Sequence, residues 1–215
     1  MIETVLWDWN GTLLDDVPLA LRANEEMCAL HGWQAPTTEE YRRKFRFPVQ
    51  DYYRDLGVRD DQFETVAAEW MAAYVRHFSG TPLHAGAVET VERLNAAGLR
   101  QVIISATRED MLLTQVAAYP PLAGRFFRVC GTQDIYAKSK VERALDVLAE
   151  VGESGENAVF IGDTDHDALV AKAIGCPCLL VRGGHQNESI LKKTDAQIMD
   201  SLSDAASWIL ERSRL

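Results

Sequence analysis

The stretch VLWDWNGTLLDD (residues 5–16) decides how the rest of the chain is read. An apolar run meets Asp8, and Asn10, Gly11 and Thr12 follow at once. In an open parallel sheet, ligands sit at the carboxyl ends of the strands, so a strand ending on a carboxylate is a candidate site. Gly11 lets the backbone approach a ligand closely.

Four more apolar, β-branched runs stand out: QVIISA (101–106), RFFRVCG (125–131), NAVFIGD (157–163) and CPCLLVRG (176–183). Helical patterns lie around and between them, in AGAVETVERLNAAGL, REDMLLTQVAAY, SKVERALDVLAEVG and DTDHDALVAKAIG. Near-continuous apolar strands alternating with helices predict an α/β fold, a Rossmann-like parallel sheet covered on both faces. Residues 16–80 break that rhythm with four helical segments and no strand. The expected organisation is an α/β core from residues 1–15 and 81–215, with a helical domain, 16–80, inserted after the first strand. The closing segment SLSDAASWILERSRL reads as a helix with Trp208 and Ile209 inward.

The composition is that of a globular chain, 47% hydrophobic and 25% charged. A net charge of −10 argues against nucleic acid and anionic membrane as partners. An anionic substrate must then be drawn in by local positive charge or a metal ion. The sequence holds no apolar run of membrane-spanning length, and its first residues lack the basic and apolar regions of a signal peptide, so a cytoplasmic protein is expected. Cys28, Cys130, Cys176 and Cys178 read as free thiols of a reducing compartment.

The strand ends carry the chemistry. The first ends in Asp8 and Asn10, the second in Ser105 and Thr107, and the fourth in Asp163 with Asp165 and Asp167 behind it. Lys138 and Lys140 follow the third. Asp8 and Asp163 on neighbouring strands repel unless a cation lies between them, and Mg²⁺ takes such oxygen donors. Asp167, one helical turn after Asp163, can point back at the same ion or orient its waters. Ser105, the amides after it and a lysine suit the oxygens of a phosphoryl group.

These residues carry a resemblance. DWNGTLLDD resembles the first motif of the haloacid dehalogenase superfamily of phosphatases, usually Asp-x-Asp-Gly-Thr-Leu. VIISATRE is similar to its second motif, SKVERAL to its third, and IGDTDHDALVAKAIG closely to its fourth. All four stand in the family's order, and the helical insert matches its cap, most like the phosphoglycolate phosphatase group. The resemblance implies a Mg²⁺-dependent phosphatase of a small phosphorylated metabolite, phosphoglycolate-like, acting as a monomer or homodimer. It implies an aspartyl-phosphate on Asp8, with Mg²⁺ held by Asp8, Asp163, Asp167 and the main-chain carbonyl of Asn10. Ser105 and Lys140 would hold the transferred phosphoryl, with Gly11, Thr12 and Ala106 beside the substrate. Lys138 also fits the third motif; Lys140, which opens the helix, fits better. A phosphonatase or mutase of the same fold, or an impaired phosphate-binding regulator, are the alternatives.

Position 10 departs from the family. Its phosphatases carry an aspartate there that protonates the leaving alcohol, and an amide does not titrate in that range. A missing general acid costs about 10²–10⁴ in rate. The loss is severe for alkyl phosphates and mild for weakly basic leaving groups. By sequence, His166 and His185 are the nearest substitutes. In YRRKFRF (41–47), Arg43 and Arg46 are candidates for a substrate's anionic end, set against a solvated face. Tyr52, Tyr53, Trp70 and Tyr74 are expected in the insert's core, and Asp15 and Asp16 as caps of its first helix.

Overall fold

The structure, a computed structural model, describes residues 1–132 and 140–213. Strand β1 (Thr4–Trp7) is followed by four helices, α1 (Val17–His31), α2 (Thr38–Lys44), α3 (Val49–Asp55) and α4 (Phe63–His77). Next come α5 (Ala87–Ala96), β2 (Arg100–Arg108), α6 (Glu109–Ala117), β3 (Arg128–Thr132) and α7 (Lys140–Glu150). The chain ends with β4 (Ala158–Gly162), α8 (Asp165–Ile174), β5 (Cys178–Val181), α9 (Glu188–Leu191), β6 (Gln197–Met199) and α10 (Leu202–Leu210).

The six strands form one parallel sheet in the order β3-β2-β1-β4-β5-β6. β1 lies at its centre, Leu6 paired with Val102 on one side and Phe160 on the other. The chain winds outward from β1 through β2 to β3, then crosses back to β4. A crevice therefore opens at the carboxyl ends of β1 and β4, where the order reverses.

Alternation along the strands fills both faces. Val5, Trp7, Ile103, Val159 and Ile161 meet α5, α6 and α10 on one side. Leu6, Val102, Ile104 and Phe160 meet α7 and α8 on the other. This double covering explains why the strands read as continuous apolar runs. Two sheet-facing polar groups are paired within it: Trp7 Nε1 donates to Gln101 Oε1 at 2.9 Å, and Trp9 Nε1 to Gln115 Oε1 at 3.0 Å.

All five expected strands are present. β6 was not anticipated, because three residues are too short a run to give a readable periodicity. Trp208 is half-buried under the Arg212 guanidinium, 4.1 Å from its ring centroid, while Ile209 is fully inward. α2 stops at Lys44, with Phe45 as its non-helical C-cap.

Helices α1 to α4 gather round an apolar cluster of their own that includes Met27, Tyr41, Tyr52 and Val66. Their two connections to the sheet run side by side: Asp15 N donates to the Pro82 carbonyl at 3.0 Å, and His84 N to that of Leu13 at 2.9 Å.

Phe160 sits at the middle of the sheet, fully buried, with Lys140 Nζ 5.1 Å from its ring centroid. Phe160→Ala is expected to cost about 3–5 kcal/mol. Urea unfolding monitored by tryptophan fluorescence should show the midpoint falling at unchanged slope.

Candidate active site

Asp8 leaves the end of β1 with its amide bonded to the Ile161 carbonyl of β4 at 2.8 Å. Asp163 leaves the end of β4. Asp167, in the first turn of α8, turns back toward both. Its Oδ2 accepts from the amides of Asp163 and Thr164 at 3.2 and 3.0 Å and from the Thr164 hydroxyl at 2.7 Å. It is thus a helix-capping acid and a member of the cluster together. One oxygen each of Asp8, Asp163 and Asp167 lie within 4.8 Å of one another, and all three residues are buried. Lys140, the first residue of α7, stands between two of them, with Nζ 2.6 Å from Asp8 Oδ1 and 2.6 Å from Asp167 Oδ1. Lys138 lies outside the described residues.

Asp163 is held by the Thr12 hydroxyl at 3.0 Å and by the His185 amide at 2.6 Å. Glycines make this packing sterically feasible. A Cβ on Gly11, at φ +73°, or on Gly184 would overlap the Asp163 carboxylate, and one on Gly162 that of Asp167.

Burial dominates the electrostatics. It pushes the Asp8 carboxyl up to about 8, opposed by Lys140 and aided by Asp167 and Asp163. It lifts Asp163 to about 6. Burial works against charge on Asp167 as well, but Lys140 and the Thr164 hydroxyl hold it below the usual carboxylate range. Lys140 is likewise desolvated, yet Asp167 and Asp8 outweigh that and raise it. Fully ionised, among the described residues three carboxylates face one ammonium, an excess of two negative charges in a buried site. Buried oxygen donors with such an excess fit a hard divalent cation.

A second network adjoins the first. The Asp16 carboxylate is buried and accepts four hydrogen bonds: from the Gly11 amide at 2.8 Å, Asn10 Nδ2 at 2.9 Å, the Tyr74 hydroxyl at 2.7 Å and His185 Nε2 at 3.1 Å. The Asn10 carbonyl oxygen accepts from the Thr107 hydroxyl at 2.7 Å, and Tyr41 Oη lies 2.6 Å from His185 Nδ1. Burial opposes charge on Asp16, but His185, Tyr74 and Asn10 overcome it and lower its pKa. Burial likewise opposes charge on His185, and Asp16 and its carboxylate neighbours raise it to about 9. Asp16 caps no helix with its side chain, contrary to the sequence-based expectation, because these donors already claim it.

Both networks open into one cavity of about 290 Å³. Asp8, Asn10, Ser105, Ala106, Lys140, Asp163 and Asp167 all line it. Gly11 and Thr12 stand behind this wall as spacer and clamp. Arg43 and Arg46 do not reach the cavity: Arg43 is exposed on α2, and Arg46 pairs with Asp55. His166 packs its ring on Phe47, 4.5 Å between centroids, and burial lowers its pKa. Tyr52, Tyr53, Trp70 and Tyr74 pack in the insert as expected, and they also line the cavity. Among the described residues, no helix is long and apolar enough to cross a membrane.

A family model described as haloacid dehalogenase-like hydrolase matches residues 2–175. A protein named phosphoglycolate phosphatase 1 from Pseudomonas aeruginosa is 27% identical, covering 93% of this chain and 77% of its own. A phosphoglycolate phosphatase from Neisseria gonorrhoeae is 26% identical, covering 98% and 92%. Among solved structures, a haloacid dehalogenase-like hydrolase from Streptococcus pneumoniae superposes with TM-score 0.85 at 18% identity, covering 97% of this chain and 98% of that one. CbbY from Rhodobacter sphaeroides, solved with phosphate, gives 0.73 at 21% identity over 95% and 96%.

The pKa shifts fix a pH response. When folded and metal-free, Asp8, Asp163 and His185 keep protons up to about 8, 6 and 9, against ordinary values of 3.8, 3.8 and 6.5. The folded state therefore binds more protons than the unfolded one, and stability falls as pH rises. With chelator present, scanning fluorimetry should show Tm dropping between pH 6 and 9, and Asp8→Asn should flatten the drop. Added Mg²⁺ should restore Tm most at the alkaline end.

Proposed function

We infer the activity from a plain premise: the chain belongs to the haloacid dehalogenase-like hydrolase family. Its relatives make it a phosphatase. We propose that it hydrolyses a small phosphorylated metabolite, a phosphomonoester of the kind that the names of its relatives describe, in the cytoplasm. The supporting observation is the convergence of Asp8, Asp163 and Asp167 on one point, with Lys140 bonded to Asp8 at the floor of a cavity.

In this reading Asp8 is the nucleophile and forms an aspartyl-phosphate. Asp8, Asp163 and the Asn10 main-chain carbonyl would hold Mg²⁺, with Asp167 as a further ligand or fixing its surroundings. When bound, the ion offsets the charge of the carboxylates and the phosphoryl oxygens. Lys140 spends two of its three N–H donors on Asp8 and Asp167, leaving the third for a phosphoryl oxygen. The Ser105 hydroxyl oxygen accepts from the Thr107 amide at 3.1 Å; among the described residues its own proton is given no acceptor, and in this reading it serves the substrate. Catalysis then consists of positioning and charge neutralisation. Residues 16–80 act as a cap over the core of 1–15 and 81–215, excluding bulk water from the intermediate. Asn10 donates no acidic proton; its side chain is occupied by Asp16, Tyr74 and Thr107.

Phosphate release in Mg²⁺ should vanish in Asp8→Asn and on chelation. A paired substitution tests position 10: Asn10→Asp with Asp16→Asn moves the buried carboxylate across one hydrogen bond at constant charge. Turnover of glycerol phosphate should rise by about 10²–10⁴, the value of a general acid. Nitrophenyl phosphate should gain little; equal gains on both would remove the general-acid argument.

A further inference from the structure

Much of the cavity's lining is aromatic. Phe45, Phe47, Tyr52, Trp70 and Tyr74, with Met71, share it with the acidic cluster. Trp70 and Tyr74 are stacked at 5.0 Å and 28°, and Phe45 meets both Phe47 and Tyr52 edge-on at 5.6 Å. Of the hydroxyls here, that of Tyr74 donates to Asp16, while that of Tyr52 accepts from Asn24 Nδ2 at 3.2 Å. Ring faces and edges make up most of what this lining offers a ligand, with Asn24 Oδ1 an acceptor that no described group donates to.

Positive charge is directed elsewhere. Arg42 holds the carbonyls of Gly183 and Gly184, Arg46 pairs with Asp55, and Arg54 with Asp51 and Asp60; none lines the cavity. Among the described residues the cations that do line it are bound to carboxylates. Lys140 lies between Asp8 and Asp167, His185 on Asp16, and Arg108 makes a two-point pair with Asp110 at 2.5 and 2.8 Å. A carboxylate set against the Phe47, Trp70 and Met71 side chains would lose its water and meet apolar surface, an uncompensated burial of charge. A flat apolar group there gains area and ring–ring contact. At about 290 Å³ the cavity stands near the lower limit for organic ligands, the size of one or two fused rings beside a phosphoryl group.

An independent observation leads to the same chemistry. The side chain at position 10 is an amide locked by three hydrogen bonds, so it protonates no departing alkoxide. A phenol ionises near about 10, as tyrosine does, and its anion departs without that help.

We propose that the substrate is an aryl phosphate, the monoester of a phenolic compound, bound with its ring against the Phe47–Trp70–Met71 wall. The assignment rests on the phosphatase reading above and names its leaving group. Asp8 Oδ bonds to phosphorus as the P–O(aryl) bond breaks, and the phenolate keeps the electron pair. A water oxygen then bonds to phosphorus, the Asp8–phosphorus bond breaks, and the pair returns to the carboxylate. One water proton stays on inorganic phosphate and the other reaches the phenolate through solvent, giving a phenol and hydrogen phosphate.

The test is initial-rate kinetics of the intact protein in Mg²⁺ on phenyl phosphate, 1-naphthyl phosphate, phosphoglycolate and glycerol 3-phosphate. KM for 1-naphthyl phosphate should be lower than for phosphoglycolate by about tenfold or more, with kcat no lower. Phe47→Ala and Met71→Ala, both at partly exposed positions, should raise KM for 1-naphthyl phosphate several-fold with kcat nearly constant. A higher kcat/KM on phosphoglycolate or glycerol 3-phosphate overturns the aryl assignment while leaving the phosphatase intact. An unmoved KM in both variants overturns it too. No turnover of any of the four sinks the phosphatase reading itself.

Discussion

Three carboxylates buried beside Lys140 are an unfavourable thing to fold, and the architecture is organised around making them tolerable. Removing charge from water costs several kcal/mol per ion unless partners replace the lost solvation. Lys140 replaces part of it for Asp8 and Asp167, the Thr164 hydroxyl and two amides more of it for Asp167, and Thr12 and the His185 amide part of it for Asp163. What they leave unmatched shows as carboxyls pushed up to about 8 and 6. The parallel sheet supplies the geometry: β1 and β4 are direct neighbours, so residues leaving their ends are forced together. α8 starts where its first turn returns Asp167 to the same point, and α7 starts on Lys140.

The helical insert belongs electrostatically to the site. Tyr74 of α4 bonds Asp16, and Tyr41 of α2 lies against His185, so the network behind Asn10 is completed by residues from the insert. The loop of residues 183–187 ties the two parts together from the other side, through Arg42 on two glycine carbonyls and Gln186 on the Phe45 carbonyl. At position 10 this chain carries an amide, and the Asp16 carboxylate lies one hydrogen bond away from it.

Much of this was legible in the chain because the decisive signals are local. A strand running into Asp8 and Gly11, another into Asp163 with Asp167 four residues on, and a lysine opening a helix can each be read within a dozen residues. The parallel sheet follows from apolar runs alternating with helices. The network around Asp16 was not legible, since Tyr74 and His185 reach it from 58 and 169 positions away and neither has a local pattern. Asp16 looked like an ordinary helix cap for the same reason. Arg43 and Arg46 looked like ligands for an anion because charge alone does not reveal direction; Arg46 faces Asp55, on α3. The aromatic residues were read as core, and so they are, but helical spacing gives no sign that one edge of a packed cluster borders a cavity.

The central claim is that this buried cluster exists to bring one carboxylate, that of Asp8, to phosphorus. Acid quenching of stoichiometric protein and substrate within one turnover, followed by borohydride reduction and peptide mass spectrometry, reads that bond directly. The account predicts conversion of Asp8 alone to homoserine, the product of reducing an acyl phosphate. Turnover with Asp8 unmodified at every quench time, or modification at Asp163 or Asp167 instead, would contradict it.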